Sequence, residues 1–219
     1  MGRSLDRLVA QIRACRVCRD TPMGVPLPHE PRPVLRVSTT ARIAVCGQVP
    51  GIRVHASGKP FTDPSGVRLR RWMGITEDEF YDARRVAIVP VGFCFPGYDA
   101  AGADLPPRRE CAPLWRARVF AELLALELVL LVGHHAQRWH LGCDAGGSMT
   151  RTVERWREIF DTPGCRRVIP LPHPSWRNNA WMKKNPWFEG DVIPHVQQEV
   201  RRLLEKNTAQ QPSRMIWKA

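Results

Sequence analysis

Arg42-Ile43-Ala44-Val45-Cys46-Gly47 is a short apolar run closed by a glycine, and it reads as a buried strand. Three more runs of the same kind follow, at Val86 to Val89, Leu128 to Val132 and Val168 to Leu171. Between them the apolar spacing becomes helical over about 66–74, 108–125, 134–141 and 149–159, and a last helix is expected over about 188–205. Ahead of the first strand, Leu5, Leu8, Val9 and Ile12 stand at the i, i+3, i+4, i+7 positions of an amphipathic helix over 4–15. A proline-rich, irregular stretch from Pro22 to Pro33 separates that helix from the sheet. Short apolar strands alternating with helices predict an α/β fold: a single three-layer α/β/α domain with a central, mainly parallel four-stranded sheet. The domain is expected to occupy residues 1–206, with 207–219 as a flexible C-terminal tail.

In sheets of this kind ligands gather at the carboxyl ends of the strands. That expectation brings four loops together: Gly47 to Phe61, Pro90 to Gly97, Gly133 to His135 and Pro172 to Asn178. The 219 residues suit one compact domain, since domains commonly run to roughly 100–200 residues. Lys and Arg number 33 against 21 Asp and Glu, a formal net charge of +12. Such an excess favours a polyanionic partner, because cationic side chains displace counterions from phosphates. No apolar run approaches the roughly 20 residues that span a bilayer, so no membrane partner is expected. Asp6 and Arg13 interrupt the first apolar segment, which therefore does not read as a signal peptide. The seven cysteines then read as ligands or free thiols rather than disulfides, and the expected setting is cytoplasmic.

The loop after the first strand reads Gly47-Gln48-Val49-Pro50-Gly51 and continues into Gly58-Lys59-Pro60-Phe61-Thr62-Asp63-Pro64-Ser65-Gly66. The loop after the fourth reads His173-Pro174-Ser175-Trp176-Arg177-Asn178. Either alone is a weak signal. Together, in this order and with a set of four cysteines between and before them, they resemble the active-site motifs of the uracil-DNA glycosylase superfamily. The pattern is most similar to the iron–sulphur (family 4) type and its proteobacterial relatives, and the resemblance runs over about residues 12–205.

That resemblance implies a monofunctional enzyme that hydrolyses the N-glycosidic bond of uracil, or a related deaminated base, in DNA and leaves an abasic site. The base would be flipped from the duplex into a tight pocket. It implies Phe61 as the ring that stacks on the flipped base, and Gly47, Val49, Pro50, His55, Ser175 and Asn178 as its surroundings. A neutral His173 would donate to the departing uracil and stabilise its charge. Trp176 and Arg177 would wedge into the minor groove and grip phosphates, helped by Lys183 and Lys184. The protein is expected to act as a monomer on DNA.

Two departures from the family pattern stand out. The first motif usually carries Glu second, or Asp or Asn third, where this chain has Gln48 and Val49. Gln48 can orient a water but cannot take its proton. Asp63 is the nearest acid in the segment; it is a candidate for handling water and equally for capping the helix that Pro64 starts. The second strand of the family usually ends in a base-reading Asn, where this chain has Pro90. Reading of the base would then pass to main-chain groups around Val91 and Gly92, or the preferred base would be another one, such as hypoxanthine or xanthine.

Cys15-Arg16-Val17-Cys18 is a C-x2-C pair, and Cys94 and Cys111 complete a set of four. Four thiolates suit a [4Fe–4S] cluster, with one cysteine to each iron, and suit tetrahedral zinc as well. The resemblance implies the cluster, in a structural role. Cys46, Cys143 and Cys165 read as core or loop residues. His134, His135, His140 and Cys143 are not spaced to share one helical face as metal ligands. A non-catalytic, cluster-bearing or zinc-bearing DNA-binding protein of the same fold is the alternative to the enzyme.

Overall fold

The computed structural model describes residues 2–163 and 166–209. The chain begins with α1 (Gly2–Arg13) and the short α2 (Val17–Asp20), and then crosses the proline-rich stretch to β1 (Ile43–Cys46). Three helices follow: α3 (Ile52–Ser57), α4 (Pro64–Met73) and α5 (Glu77–Tyr81). Next come β2 (Val86–Ile88), α6 (Cys111–Glu122), β3 (Leu128–Val132) and α7 (His134–Leu141). The expected helix over 149–159 is divided at Arg155 into α8 (Met149–Glu154) and α9 (Trp156–Phe160). Then come β4 (Arg167–Leu171), a tight turn at Trp176–Asn178, and α10 (Asn179–Lys184). A π-turn at Phe188–Val192 leads into α11 (Ile193–Ala209), which runs further than the apolar spacing predicts. The expected tail beyond Ala209 lies outside the described residues, as does Cys165.

The four strands form one sheet in the order β2-β1-β3-β4, parallel throughout. Alternation along each strand divides the core between the two faces. Ile43, Val45, Val86, Ile88, Leu128 and Leu130 point to one side, where Leu69, Trp72 and Met73 of α4, Phe80 of α5 and Val196 and Val200 of α11 cover them. Ala44, Cys46, Ala87 and Val129 point to the other, under Leu8 and Ile12 of α1 and Trp115 and Val119 of α6. This is the three-layer α/β/α domain expected from the strand pattern.

Both sheet edges are protected. Arg36 makes an antiparallel bridge to Ile88 of β2, with two main-chain bonds of 3.0 and 2.7 Å. At the other edge β4 contains Pro170, which withholds a donor from any further strand. The strand order reverses direction at β1, since β2 lies on one side of it and β3 on the other. The crevice beyond the carboxyl ends at such a reversal is the expected place for a ligand. Among the described residues no helix is long and apolar enough to cross a membrane.

Candidate active site

A cavity of about 290 Å³ opens at that place. Its lining includes Gly47, Gln48, Val49, Pro50 and Gly51 after β1, Phe61, Asp63 and Ser65 at the start of α4, Pro90 after β2, and His173 after β4. The two motifs, far apart in the chain, therefore share one cavity.

Phe61 is held in an unusual backbone conformation. Its φ of 55° makes it the one non-glycine residue with positive φ among those described. Its carbonyl accepts hydrogen bonds from Tyr81 Oη at 3.0 Å and Arg70 Nη1 at 3.2 Å, and Tyr81 Oη also reaches the Pro60 carbonyl at 2.7 Å. The same carbonyl lies where a Cβ on Gly66 would be, at 1.8 Å. The Phe61 ring meets Phe80 edge-to-face at 5.9 Å on its core side. Its other side approaches Gly47, where an added Cβ would stand 3.3 Å from the ring. Strain held this firmly at a cavity wall is the usual mark of a positioned functional group.

Of the two roles that its sequence context left open, Asp63 displays the helix cap. Its Oδ1 accepts from Ser65 Oγ at 2.6 Å and from Gly66 N at 3.3 Å, and Pro64 occupies the first turn, so Asp63 caps α4. Its charge also reaches the His173 imidazole. Burial depresses the basicity of His173; Asp63 offsets this and Arg177 adds to it, with a net shift below the ordinary histidine value. His173 is therefore held neutral at neutral pH, able to donate a hydrogen bond without carrying charge.

The remaining motif residues support the loop rather than line the cavity. Asn178 Nδ2 donates to the His173 carbonyl at 2.6 Å. The Ser175 carbonyl accepts from Asn178 N and from Arg68 Nη1, each at 3.1 Å, which ties the histidine loop to α4. Arg68 carried no signal in sequence beyond its charge. His55 lies on α3 but turns away from the cavity; its ring packs 4.2 Å from that of His29 and 6.1 Å from that of Phe95. Trp176 is 73% exposed, with the Arg177 guanidinium 5.9 Å from its ring. Lys183 and Lys184 are exposed on α10, a helix pinned to the body by Trp181 Nε1 on Thr150 Oγ1 at 2.8 Å. The Gly133–His135 loop does not reach the cavity; Gly133 instead abuts the Gln48 side chain, and His134 lines a separate groove.

The end of β2 corrects one expectation. The Val91 and Gly92 amides are already committed, to the carbonyls of Gly47 and Gln48, each at 2.9 Å. They cannot read a base. The carbonyls of Val89 and Pro90 are taken by the buried Arg116, whose other nitrogen meets His140. Pro90 thus presents only its ring to the cavity. Two lining residues that the sequence pattern did not single out, Tyr98 and Asp104, come from the stretch beyond it.

The four cysteines Cys15, Cys18, Cys94 and Cys111 line one second cavity, closed by Ile12, Phe93 and Trp115. Burial, reinforced by the neighbouring thiols, pushes Cys94 and Cys111 up to about 12, and burial raises Cys18 as well. Among the described residues no three His, Cys, Asp or Glu side chains are already drawn to ligand spacing. As a donor set, four thiols on one cavity with no imidazole among its lining residues suit a thiolate-loving centre. Cys46 is buried in the core and Cys143 is exposed.

A parallel α/β sheet with a cavity at its reversal point, walled by a strained aromatic and a buried imidazole, defines the class of protein: an α/β domain with its candidate site at the carboxyl ends of the strands. A sequence model of the uracil DNA glycosylase superfamily matches residues 36–197, from the Arg36 bridge to β2 into α11. The chain belongs to that superfamily.

Proposed function

We propose that this protein is a monofunctional DNA glycosylase of the iron–sulphur type, which hydrolyses the bond between deoxyribose and uracil or a related deaminated base. The observation that carries the reading is the shared cavity of Phe61 and His173. Its volume lies at the small end of ligand sites, which run to about 300–1,000 Å³, as suits one flipped nucleoside.

In this reading the extruded base stacks on Phe61. As the glycosidic bond breaks, the electron pair leaves on the base, and the neutral His173 N–H donates to the oxygen that gathers the charge. Such a donor lowers the barrier because it acts on charge that develops only in the transition state. Trp176, exposed three residues past His173, fills the space the base vacates, while Arg177, Lys183 and Lys184 hold flanking phosphates. With Pro90 offering no hydrogen bond, the choice of base rests on shape and on the side chains around the rim.

Cys15, Cys18, Cys94 and Cys111 would hold a [4Fe–4S] cluster, with zinc as the other ion that the donor set accepts. Bound there, the cluster would cross-link the α1–α2 turn and α2 to the segment after β2, which carries part of the cavity wall, and to the start of α6.

The test is cleavage of labelled single- and double-stranded oligonucleotides containing uracil, hypoxanthine or xanthine, followed by alkali. Strand breaks only after alkali support the monofunctional glycosylase. Binding without any breaks supports instead a non-catalytic DNA-binding protein of the same fold.

A further inference from the structure

We propose that Asp104 is the carboxylate that receives the proton of the attacking water, in place of the acid that the Gln48-Val49 segment lacks. The assignment deepens, and rests on, the glycosylase reading above.

Asp104 lines the same cavity as Phe61 and His173. Its Oδ2 stands 3.6 Å from the place of a Cβ on Gly51, so its carboxylate overhangs the last residue of the first motif. The sequence thus lacks an acid in this motif, yet the fold returns one to it from the segment after β2.

The carboxylate is positioned but uncommitted. Asp104 pairs with Tyr98 in an antiparallel bridge, closed by Leu105 N on the Gly97 carbonyl at 2.9 Å. The tip of this small hairpin is braced by Asp99, whose Oδ1 accepts from the amides of Ala101 and Ala103, both at 2.9 Å. Against this backbone the Asp104 carboxylate is partly buried and feels the charge of Arg177. Asp63, in contrast, has one oxygen occupied by Ser65 and Gly66. The cavity walls raise Asp104 above the ordinary aspartate value, with Arg177 opposing, which moves it toward the range of an effective base.

The step balances without any co-reactant. The water oxygen bonds to C1′ as the bond from C1′ to the base nitrogen breaks and its electron pair leaves on the base. The water proton passes to Asp104 and from there to solvent, which also protonates the free base.

Single-turnover cleavage of the uracil oligonucleotide, followed over roughly pH 4 to 9 for the wild type, Asp104→Asn, Asp104→Glu and Asp63→Asn, tests this assignment. Arg177, whose charge acts on Asp104, and His173, Asp63, Arg53 and Tyr98, which line the same cavity, are all kept in the Asp104 variants. Asp104→Asn should cleave about 10²-fold slower or worse, lose the acid limb of the profile, and bind the DNA as tightly as wild type. Asp104→Glu should recover part of the rate, and Asp63→Asn should keep the acid limb. An Asp104→Asn protein with wild-type rate and an unchanged acid limb overturns the assignment alone. A wild type that cleaves no deaminated base overturns the glycosylase reading and this assignment together.

Discussion

Gly66 and Phe61 are packed so closely that a Cβ on Gly66 would stand 1.8 Å from the Phe61 carbonyl oxygen, well inside contact distance. The first turn of α4 therefore fixes the backbone of the aromatic residue at the cavity wall. Gly66→Ala should displace Phe61 from its φ of 55° and cost about 1–3 kcal/mol, the usual range for overpacking. Cleavage should fall with it, toward the level of Phe61→Ala. Thermal melts and single-turnover rates read both effects; a stable Gly66→Ala variant with full activity would show that this close approach does not position the ring.

His173 should matter to the rate far more than to binding. His173→Ala is expected to slow cleavage by about 10²–10³-fold while leaving affinity for an uncleavable uracil analogue in DNA nearly unchanged. Because burial holds the imidazole below its ordinary pKa, it stays neutral well into mildly acidic solution. The rate should therefore show no break near the ordinary histidine value, and any break should come at lower pH. A profile that falls steeply through that ordinary value would contradict the neutral donor.

The sequence made some of this site legible and hid the rest for a physical reason. Ile43 to Cys46 and Leu128 to Val132 announce themselves because buried parallel strands are contiguous apolar runs. Phe61 and His173 could be paired because each sits in a motif with recognisable neighbours. Asp104 could not, since its place in the cavity comes from a hairpin in an irregular segment with no periodicity of its own. Arg68 and Arg116 act through main-chain carbonyls distant in sequence, and a lone arginine in a helical pattern does not disclose its acceptor. That the amides among the main-chain groups around Val91 and Gly92 are already bonded shows only in the turn after β1, whose carbonyls take them up. Helix breaks such as the one at Arg155 also depend on tertiary packing rather than on local pattern.

The cysteine cavity carries a prediction independent of catalysis. Protein purified without oxygen should be brown and contain about four irons per chain. Cys94→Ser should lose the colour and lower the melting temperature by several degrees, since a cross-link between the α1–α2 turn and the segment after β2 is removed. A colourless preparation carrying one zinc per chain would replace iron with the other ion that suits these thiols.

Affinity for DNA should fall steeply with salt, in keeping with the +12 charge. Lys183→Gln with Lys184→Gln should weaken binding of every DNA sequence to a similar degree. The slope of log K against log salt should drop by roughly 1 for each phosphate that the variant no longer neutralises. Trp176→Ala should behave differently, with a salt slope close to wild type and slower extrusion of the base, seen with a fluorescent base analogue next to the uracil. Equal slopes for the wild type and the lysine double variant would place the phosphate grip elsewhere on the surface.

The pairing of Arg116 with His140 predicts how the fold responds to acid. Burial, with the Arg116 charge adding to it, lowers His140 from 6.5 to about 3. In the window between those values the unfolded chain binds a proton that the folded chain refuses, so stability is full above the upper value and falls as the pH drops through it. His173, His135, His55 and His195 are depressed in the same direction and add to the loss. His140→Gln keeps an acceptor for the arginine but cannot titrate. Urea midpoints should therefore drop less between pH 7 and about pH 5 in His140→Gln than in the wild type, by an amount that reflects at most roughly 1.4 kcal/mol for each pH unit below the unfolded value. Because Arg116 also holds the carbonyls of Val89 and Pro90 beneath the cavity, protonation of His140 should loosen the floor of the site before the sheet itself unfolds. Cleavage should then decline at milder acidity than the loss of helical circular dichroism, and coincident transitions would separate His140 from the cavity floor.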